Sequence, residues 1–214
     1  MNLARYIDHT LLKPQAGKKE VERVCREAKD YGFASVCVLP YYVEKVAKEL
    51  QGSQVKVGTV IGFPLGASFS SSKAAEVKMA LSRGAEELDV VINFSALIDG
   101  DEDTLKKDLN RTMEVSEGKT VKAIIEACYL NQEQKIKATK TVMEAGAHYV
   151  KTSTGFGTGG AQEEDIKLMK EIVGERIKIK AAGGIKDRTR ALKMIELGAS
   201  RIGTSSGVAL VEDE

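Results

Sequence analysis

SRGAEELDVVIN at 82–93, MEAGAHYVKTS at 143–153 and IELGASRIGTS at 195–205 repeat one unit three times: the end of a helical run, a Gly-Ala pair, and a short strand-forming run. Glycine adopts the left-handed conformation that closes a helix. A helix closed in this way directly before a strand is the second half of a βαβ unit, and its repetition predicts a parallel sheet. Outward from these three units, strand-like runs fall at about 6–10, 33–38, 55–61, 87–92, 121–126, 148–152, 177–181 and 200–203. Helical patterns fill the intervals at 18–30, 41–50, 73–82, 103–116, 132–145, 163–173 and 188–197. In the last of these, Ala191, Leu192, Ile195 and Leu197 recur near helical spacing. Eight strands alternating with helices predict a (β/α)8 TIM barrel, with an open doubly wound sheet as the alternative. No Pro-rich or Ser-rich linker interrupts the pattern, so residues 1–214 are expected to form a single catalytic barrel domain. SFSSSK at 68–73 is too short to separate domains and leads into a helical run.

Composition removes several classes of function. The 32 lysines and arginines against 31 aspartates and glutamates leave a net charge of +1, so no general field attracts nucleic acid or an anionic membrane. Tryptophan is absent and aromatics are 5%, which leaves few platforms for stacking on bases. Cys25, Cys37 and Cys128 are odd in number and unclustered, against a disulfide framework or a zinc site. Two histidines, His9 and His148, are too few for a histidine-based metal centre, and no metal is expected. MNLARYIDHT lacks the apolar region of a signal peptide, and no apolar run is long enough to span a membrane. A cytoplasmic protein is the expectation.

Side chains alternate along a strand, so faces can be assigned. In ELDVVIN, Leu88, Val90 and Ile92 form an apolar face suited to helices, which turns Asp89 into the barrel. In KAIIEAC, Lys122, Ile124 and Glu126 share a face. Lys151 lies opposite Val150, and Lys180 opposite Ile177 and Ile179. For any one of these charges an ion pair or a solvated strand end is the ordinary reading, because buried lysine is costly. Four charges converging from separate strands point instead to a site, since charges at the C-terminal ends of barrel strands are catalytic positions. An amine whose pKa is lowered by a neighbouring ammonium and by desolvation attacks carbonyls and forms a Schiff base. Lys151 beside Lys180 has that arrangement, and Asp89 can move protons through water. The iminium ion is its own electron sink, so no cofactor is called for.

Three strand ends open into glycine-rich loops: KTSTGFGTGG at 151–160, KAAGGIKD at 180–187 and IGTSSGVA at 202–209. Such loops let backbone amides approach an anion. Those after the seventh and eighth strands are where barrels hold phosphate, here Gly183, Gly184 and the Gly203–Ser205–Ser206 stretch. Cys25, Cys37 and Cys128 read as packing residues. His148 reads as structural, at the strand end away from the site. Asp8 and His9 in IDHT are ambiguous on spacing alone.

The chain resembles the deoxyribose-phosphate aldolase family along nearly its whole length. The resemblance is carried by IDHTLLKP at 7–14, SVCVLP at 35–40, VIGFPLG at 60–66, ELDVVIN at 87–93, KAIIEACYL at 122–130, VKTSTGF at 150–156, IKAAGGI at 179–185 and RIGTSSG at 201–207. It implies reversible cleavage of 2-deoxy-D-ribose 5-phosphate to D-glyceraldehyde 3-phosphate and acetaldehyde, in the breakdown of deoxyribonucleosides. It implies Lys151 as the Schiff-base lysine, with Asp89 and Lys180 in proton transfer. It places Asp8, Cys37, Lys122, Thr152 and Gly155 along the substrate site, and Gly183, Gly184, Gly203, Ser205 and Ser206 on the phosphate. A homodimer or homotetramer is expected, because many barrels pair through exposed apolar faces. Two stretches differ from the pattern. Phe156 and Gly157 stand where some members carry a cation for phosphate, and VEDE at 211–214 stands where some carry a tyrosine tail. The proton path is then expected to rest on Asp89, Lys180 and water. Another Schiff-base aldolase and a sugar-phosphate sensor on the same barrel are the rival readings.

Overall fold

A computed structural model describes residues 1–212; the last two residues of the VEDE stretch lie outside the described residues. The strands are β1 (Ile7–Leu11), β2 (Ser35–Val38), β3 (Lys56–Ile61), β4 (Glu87–Val91), β5 (Thr120–Ile124), β6 (Tyr149–Lys151), β7 (Lys178–Ala182) and β8 (Arg201–Thr204). Each pairs in parallel with the next, and β8 returns to β1 through Asp8 opposite Gly203. The ring is closed, so the open-sheet alternative falls and the (β/α)8 barrel stands. The intervening helices are α1 (Lys18–Tyr31), α2 (Val43–Glu49), α3 (Ser70–Ser82), α4 (Phe94–Ile98), α5 (Glu102–Val115), α6 (Gln132–Glu144), α7 (Glu163–Val173) and α8 (Arg188–Glu196), with α9 (Gly207–Glu212) after the last strand. Among the described residues no helix is long and apolar enough to cross a membrane.

The three Gly-Ala units close their helices identically. Gly84, Gly146 and Gly198 have φ of 101°, 79° and 115°. The following alanine N–H then reaches back five residues: Ala85 to Ala80, Ala147 to Val142, and Ala199 to Met194, at 3.0, 3.3 and 2.9 Å. This satisfies carbonyls that the helix end leaves free and aims the chain into the next strand.

Two short helices escape the sequence pattern. With five residues in α4 and six in α9, neither shows a helical period. Helix α3 starts at Ser70, three residues before the expected start. Serines are tolerated there because first-turn N–H groups have no partner within the helix.

The core between barrel and helices takes one face of each strand, including Val36, Leu88, Ala123, Val150, Ile179 and Ile202. The interior has two unlike halves. On the side of β2 and β3, Cys37 and Val60 pack with Leu12. The other strands send charges inward.

One more buried ion pair lies outside the barrel. Lys73 on α3 donates to Asp108 on α5 at 2.7 Å and to the Val91 carbonyl at 2.8 Å, tying both helices to the end of β4. Burial lowers the Lys73 pKa and raises that of Asp108, as expected for charges held in an apolar setting. Lys73→Ala strands the carboxylate and should cost about 3–5 kcal/mol, read from urea unfolding. Replacing both partners with leucine and methionine should cost less than the single change.

Candidate active site

Inside the barrel, ionised side chains from six strands form one connected network. Asp89 on β4 accepts from Lys151 on β6 at 2.6 Å and from Lys180 on β7 at 2.7 Å, both on Oδ2. Its Oδ1 accepts from Lys122 on β5 at 3.1 Å. Asp8 on β1 pairs with Lys180 at 2.6 Å and with Lys122 at 3.2 Å. Below them Glu87 on β4 pairs with Lys122 at 2.6 Å and with Arg201 on β8 at 2.9 Å, and Arg201 also bonds Asp8. Asp8, Asp89, Lys122 and Lys180 are fully buried.

Four cations thus face three carboxylates. A buried network reaches neutrality by releasing one proton, and the environment selects which group gives it up. Burial lowers the Lys151 pKa; Asp89 opposes this, and the Lys180 ammonium adds to it, for a net lowering. Burial also acts against the charged Lys180 and Lys122, but their carboxylate partners win and both rise. Asp8 and Asp89 are held far below the usual carboxylate range, since the lysines outweigh the cost of burial. Lys151 is therefore the amine best able to be neutral while the rest stay charged.

Lys151 is also the member of the network that lines a cavity of about 300 Å³ at the C-terminal ends of the strands. Its wall includes Lys151, Gly155, Gly183, Gly184, Gly203 and Ser205. A wider groove of about 990 Å³ between α7 and α8 contains no barrel-strand residue.

The remaining candidates sit elsewhere. Asp8, Lys122, Asp89 and Lys180 lie behind the cavity wall, and they touch Lys151 directly or through one another. Cys37 is buried beside Val60 and Leu12, its thiol pushed up to about 11 by burial and then by Asp89. Thr152 clasps β7, its hydroxyl donating to the Ala182 carbonyl and accepting from the Ala182 N–H at 3.1 Å each. The N–H of Ser206 donates to Thr204 Oγ1, and Ser206 is not among the residues of the wall. Gly203 has a second duty: a Cβ there would lie 3.0 Å from Lys180 Cε, so its missing side chain makes room for that lysine. His148 accepts from the Val121 N–H at the opposite end of the barrel, a structural bond.

Several site residues were not singled out in the sequence. Lys13 and Lys186 line the cavity, and neither joins an ion pair among the described residues. Both belong to the quoted motifs IDHTLLKP and KAAGGIKD, so their signal was present. Glu126 adopts a left-handed conformation, φ 49°. From there its carboxylate accepts from the Thr154 N–H at 3.2 Å and from the Thr154 hydroxyl, fixing the loop that follows Lys151. The N-terminus of α8 is not open to an anion: the Asp187 side chain accepts from the Arg190 N–H at 2.8 Å.

Fold and site define a (β/α)8 barrel with an amine–carboxylate centre at the face where such barrels carry catalysis. Residues 3–211 match a family model described as DeoC/LacD family aldolase. The chain is 53% identical over 214 residues to the deoxyribose-phosphate aldolase of Clostridium tetani, covering 100% of this chain and 99% of the relative. It is 55% identical over 217 residues to the enzyme of that name from Thermococcus gammatolerans, covering 99% and 96%. The solved structure of deoxyribose phosphate aldolase from Aeropyrum pernix, described as a unique tetrameric structure, superposes with a TM-score of 0.91 at 34% identity over 98% of this chain and 89% of that one. The chain belongs to the DeoC/LacD aldolase family and is a lyase, as its motifs suggested.

The network makes stability depend on acid. Asp8 and Asp89 have folded pKa values depressed below their unfolded value of about 4, so the stability they carry is complete above that value and is lost as pH falls below it. Urea midpoints should therefore drop as pH is lowered from about 4. Asp8→Asn should be less stable at neutral pH and show a shallower acid dependence.

Proposed function

We propose that the chain cleaves 2-deoxy-D-ribose 5-phosphate reversibly to D-glyceraldehyde 3-phosphate and acetaldehyde through a Schiff base on Lys151. The observation that carries this reading is that Lys151, the network amine with the lowered pKa, is the network member that opens onto the cavity. Two close relatives bear the name of that activity.

Neutral Nζ of Lys151 attacks C1 of the open-chain aldehyde to give a carbinolamine. Lys180, protonated because its carboxylate partners raise its pKa, supplies the proton that lets hydroxide leave as water. Asp89 bonds both amines through one oxygen and so orients the transfer; its depressed pKa keeps it ionised. The network then takes the proton of the C3 hydroxyl through a water in the cavity. The C2–C3 bond breaks, its electron pair passes into the iminium to form an enamine, and C3 leaves as the new aldehyde. Protonation of the enamine at C2 and hydrolysis release acetaldehyde and restore Lys151.

The phosphate is held by Lys13, Lys186, the amides at Gly183 and Gly184, and Ser205, with Gly203 and Ser206 shaping the same loop. Both lysines bring charge that offsets the lack of a cation at Phe156. Phe156 instead packs edge-on against Phe63, with ring centroids 5.3 Å apart. The whole chain acts as one catalytic barrel, in the cytoplasm, in deoxyribose phosphate breakdown. It works as a homodimer or homotetramer, in keeping with the tetrameric relative and with exposed Leu65 and Phe69.

Intact mass after incubation with acetaldehyde and borohydride, with peptide mapping, tests the reading. One ethyl group on Lys151 is expected, together with turnover of the sugar phosphate. Lys151→Leu should lose both while keeping its melting temperature. Lys180→Met should lower turnover about 10²–10⁴-fold. Tight sugar-phosphate binding with no adduct and no turnover would establish a sensor instead, and an adduct surviving in Lys151→Leu would move the nucleophile elsewhere.

A further inference from the structure

The barrel end opposite the cavity carries two charges that the reaction does not touch. Arg201 opens β8 and Glu87 opens β4. The guanidinium donates to both oxygens of Glu87, at 3.1 and 2.9 Å, and to Asp8. It is 15% exposed, at a groove of about 660 Å³ that also contains His148 and Tyr149. Its Cζ lies 5.9 Å from the Tyr149 ring centroid. An arginine that bonds two carboxylates in this way is more than is needed to fill the base of a barrel.

We propose that Arg201 and Glu87 are positioning residues that set how firmly Asp89 holds the Lys151 amine, and so how much of that amine is free to react. The inference rests on Lys151 being the Schiff-base lysine. It follows from the chain of shared partners. Lys122 divides itself among Glu87 at 2.6 Å, Asp89 at 3.1 Å and Asp8 at 3.2 Å. Lys180 divides itself between Asp8 and Asp89. Any charge taken from one end changes what the two lysines offer to Asp89 at the other.

The two members act with opposite sign. Without Arg201, Asp8 and Glu87 draw Lys122 and Lys180 toward themselves. Asp89 is then left to Lys151, which stays protonated to higher pH. Without the Glu87 charge, Lys122 turns to Asp89 and competes with Lys151, which loses its proton at lower pH. Net charge gives the same signs, since the network loses a cation in the first case and an anion in the second. The other elements add little that could reverse this. From β2 the network meets the Cys37 thiol, whose raised pKa keeps it neutral. From β3 it meets Gly58 and Val60 near Cys37 and, at the start of the strand, the Lys56 ammonium, which is held by Glu86 at 2.8 Å and also feels the Glu87 charge. From β6 it meets the Tyr149 ring beside Lys151. Lys178 lies over the outer side of that ring, 5.8 Å from its centroid.

The test measures the Lys151 amine directly, without substrate. Folded protein is acetylated briefly with acetic anhydride across a pH series, and the modification of Lys151 is followed by peptide mapping. Arg201→Met should move the midpoint up by about one pH unit, Glu87→Gln should move it down by about the same, and the double variant should return near the starting value. Arg201→Lys keeps the charge and should stay near wild type. Midpoints that do not move, that move the same way in both variants, or that move as far in Arg201→Lys as in Arg201→Met would overturn the proposal. If Arg201→Met does not fold, the isosteric Glu87→Gln decides alone, and no downward shift overturns it. Because this readout needs no aldehyde, its failure is distinct from the absence of an acetaldehyde adduct, which would reject the Schiff-base reading itself.

Discussion

One oxygen of Asp89 shared between the Lys151 and Lys180 amines is the interaction around which the interior is arranged. Two amines within bonding distance of one carboxylate oxygen repel each other when both are protonated, and their burial leaves little solvent screening. The arrangement persists only because Asp8, Lys122, Glu87 and Arg201 continue the alternation of sign away from the cavity. Buried ion pairs are poor sources of stability, because desolvation consumes most of the attraction. The outer apolar face of the strands has to supply the stability, and it is filled with branched side chains against the helices. The barrel therefore separates two tasks by strand parity: odd or even residues pack the helices, and their neighbours carry charge.

Parity also governs what could be read in the sequence. Asp89, Lys122, Lys151 and Lys180 were legible because each sits inside a strand whose neighbours declare the outer face. The Gly-Ala units were legible because a positive φ restricts the residue type. Glu87 shares the inward face of ELDVVIN with Asp89 and could be read with it. Arg201 was harder, because it is the first residue of its strand, with no earlier strand residue to declare a face. Glu126 lies past the end of β5 in a left-handed turn, so its direction follows no strand period. Asp8 gave no signal by spacing, since five residues of β1 with a polar residue on each face show no clear alternation. Only the family resemblance marked it. Lys13 and Lys186 were visible in the motifs, but a lysine in a loop has no face until the loop is folded.

The two halves of the interior explain the shape of the site. Charge is confined to one side, while Cys37, Val60 and Leu12 make the other side apolar. A substrate with a reactive carbonyl at one end, an apolar carbon next to it and an anion at the other matches that division: amine at the barrel axis, neutral wall beside it, lysines and open amides at the rim. Glu126 contributes by fixing Thr154, so the loop after Lys151 is braced from below.

Asp8 and Arg201 stand 193 positions apart and meet where the ring closes. A chain still emerging from the ribosome has made Lys151, Lys180 and most of its strands before Arg201, the last member of the network. Such a nascent barrel holds carboxylates and amines with no final arrangement, and Lys180 has no Gly203 beside it to accept its stem. The closed ring and its full charge network are thus assembled only when the last strand docks.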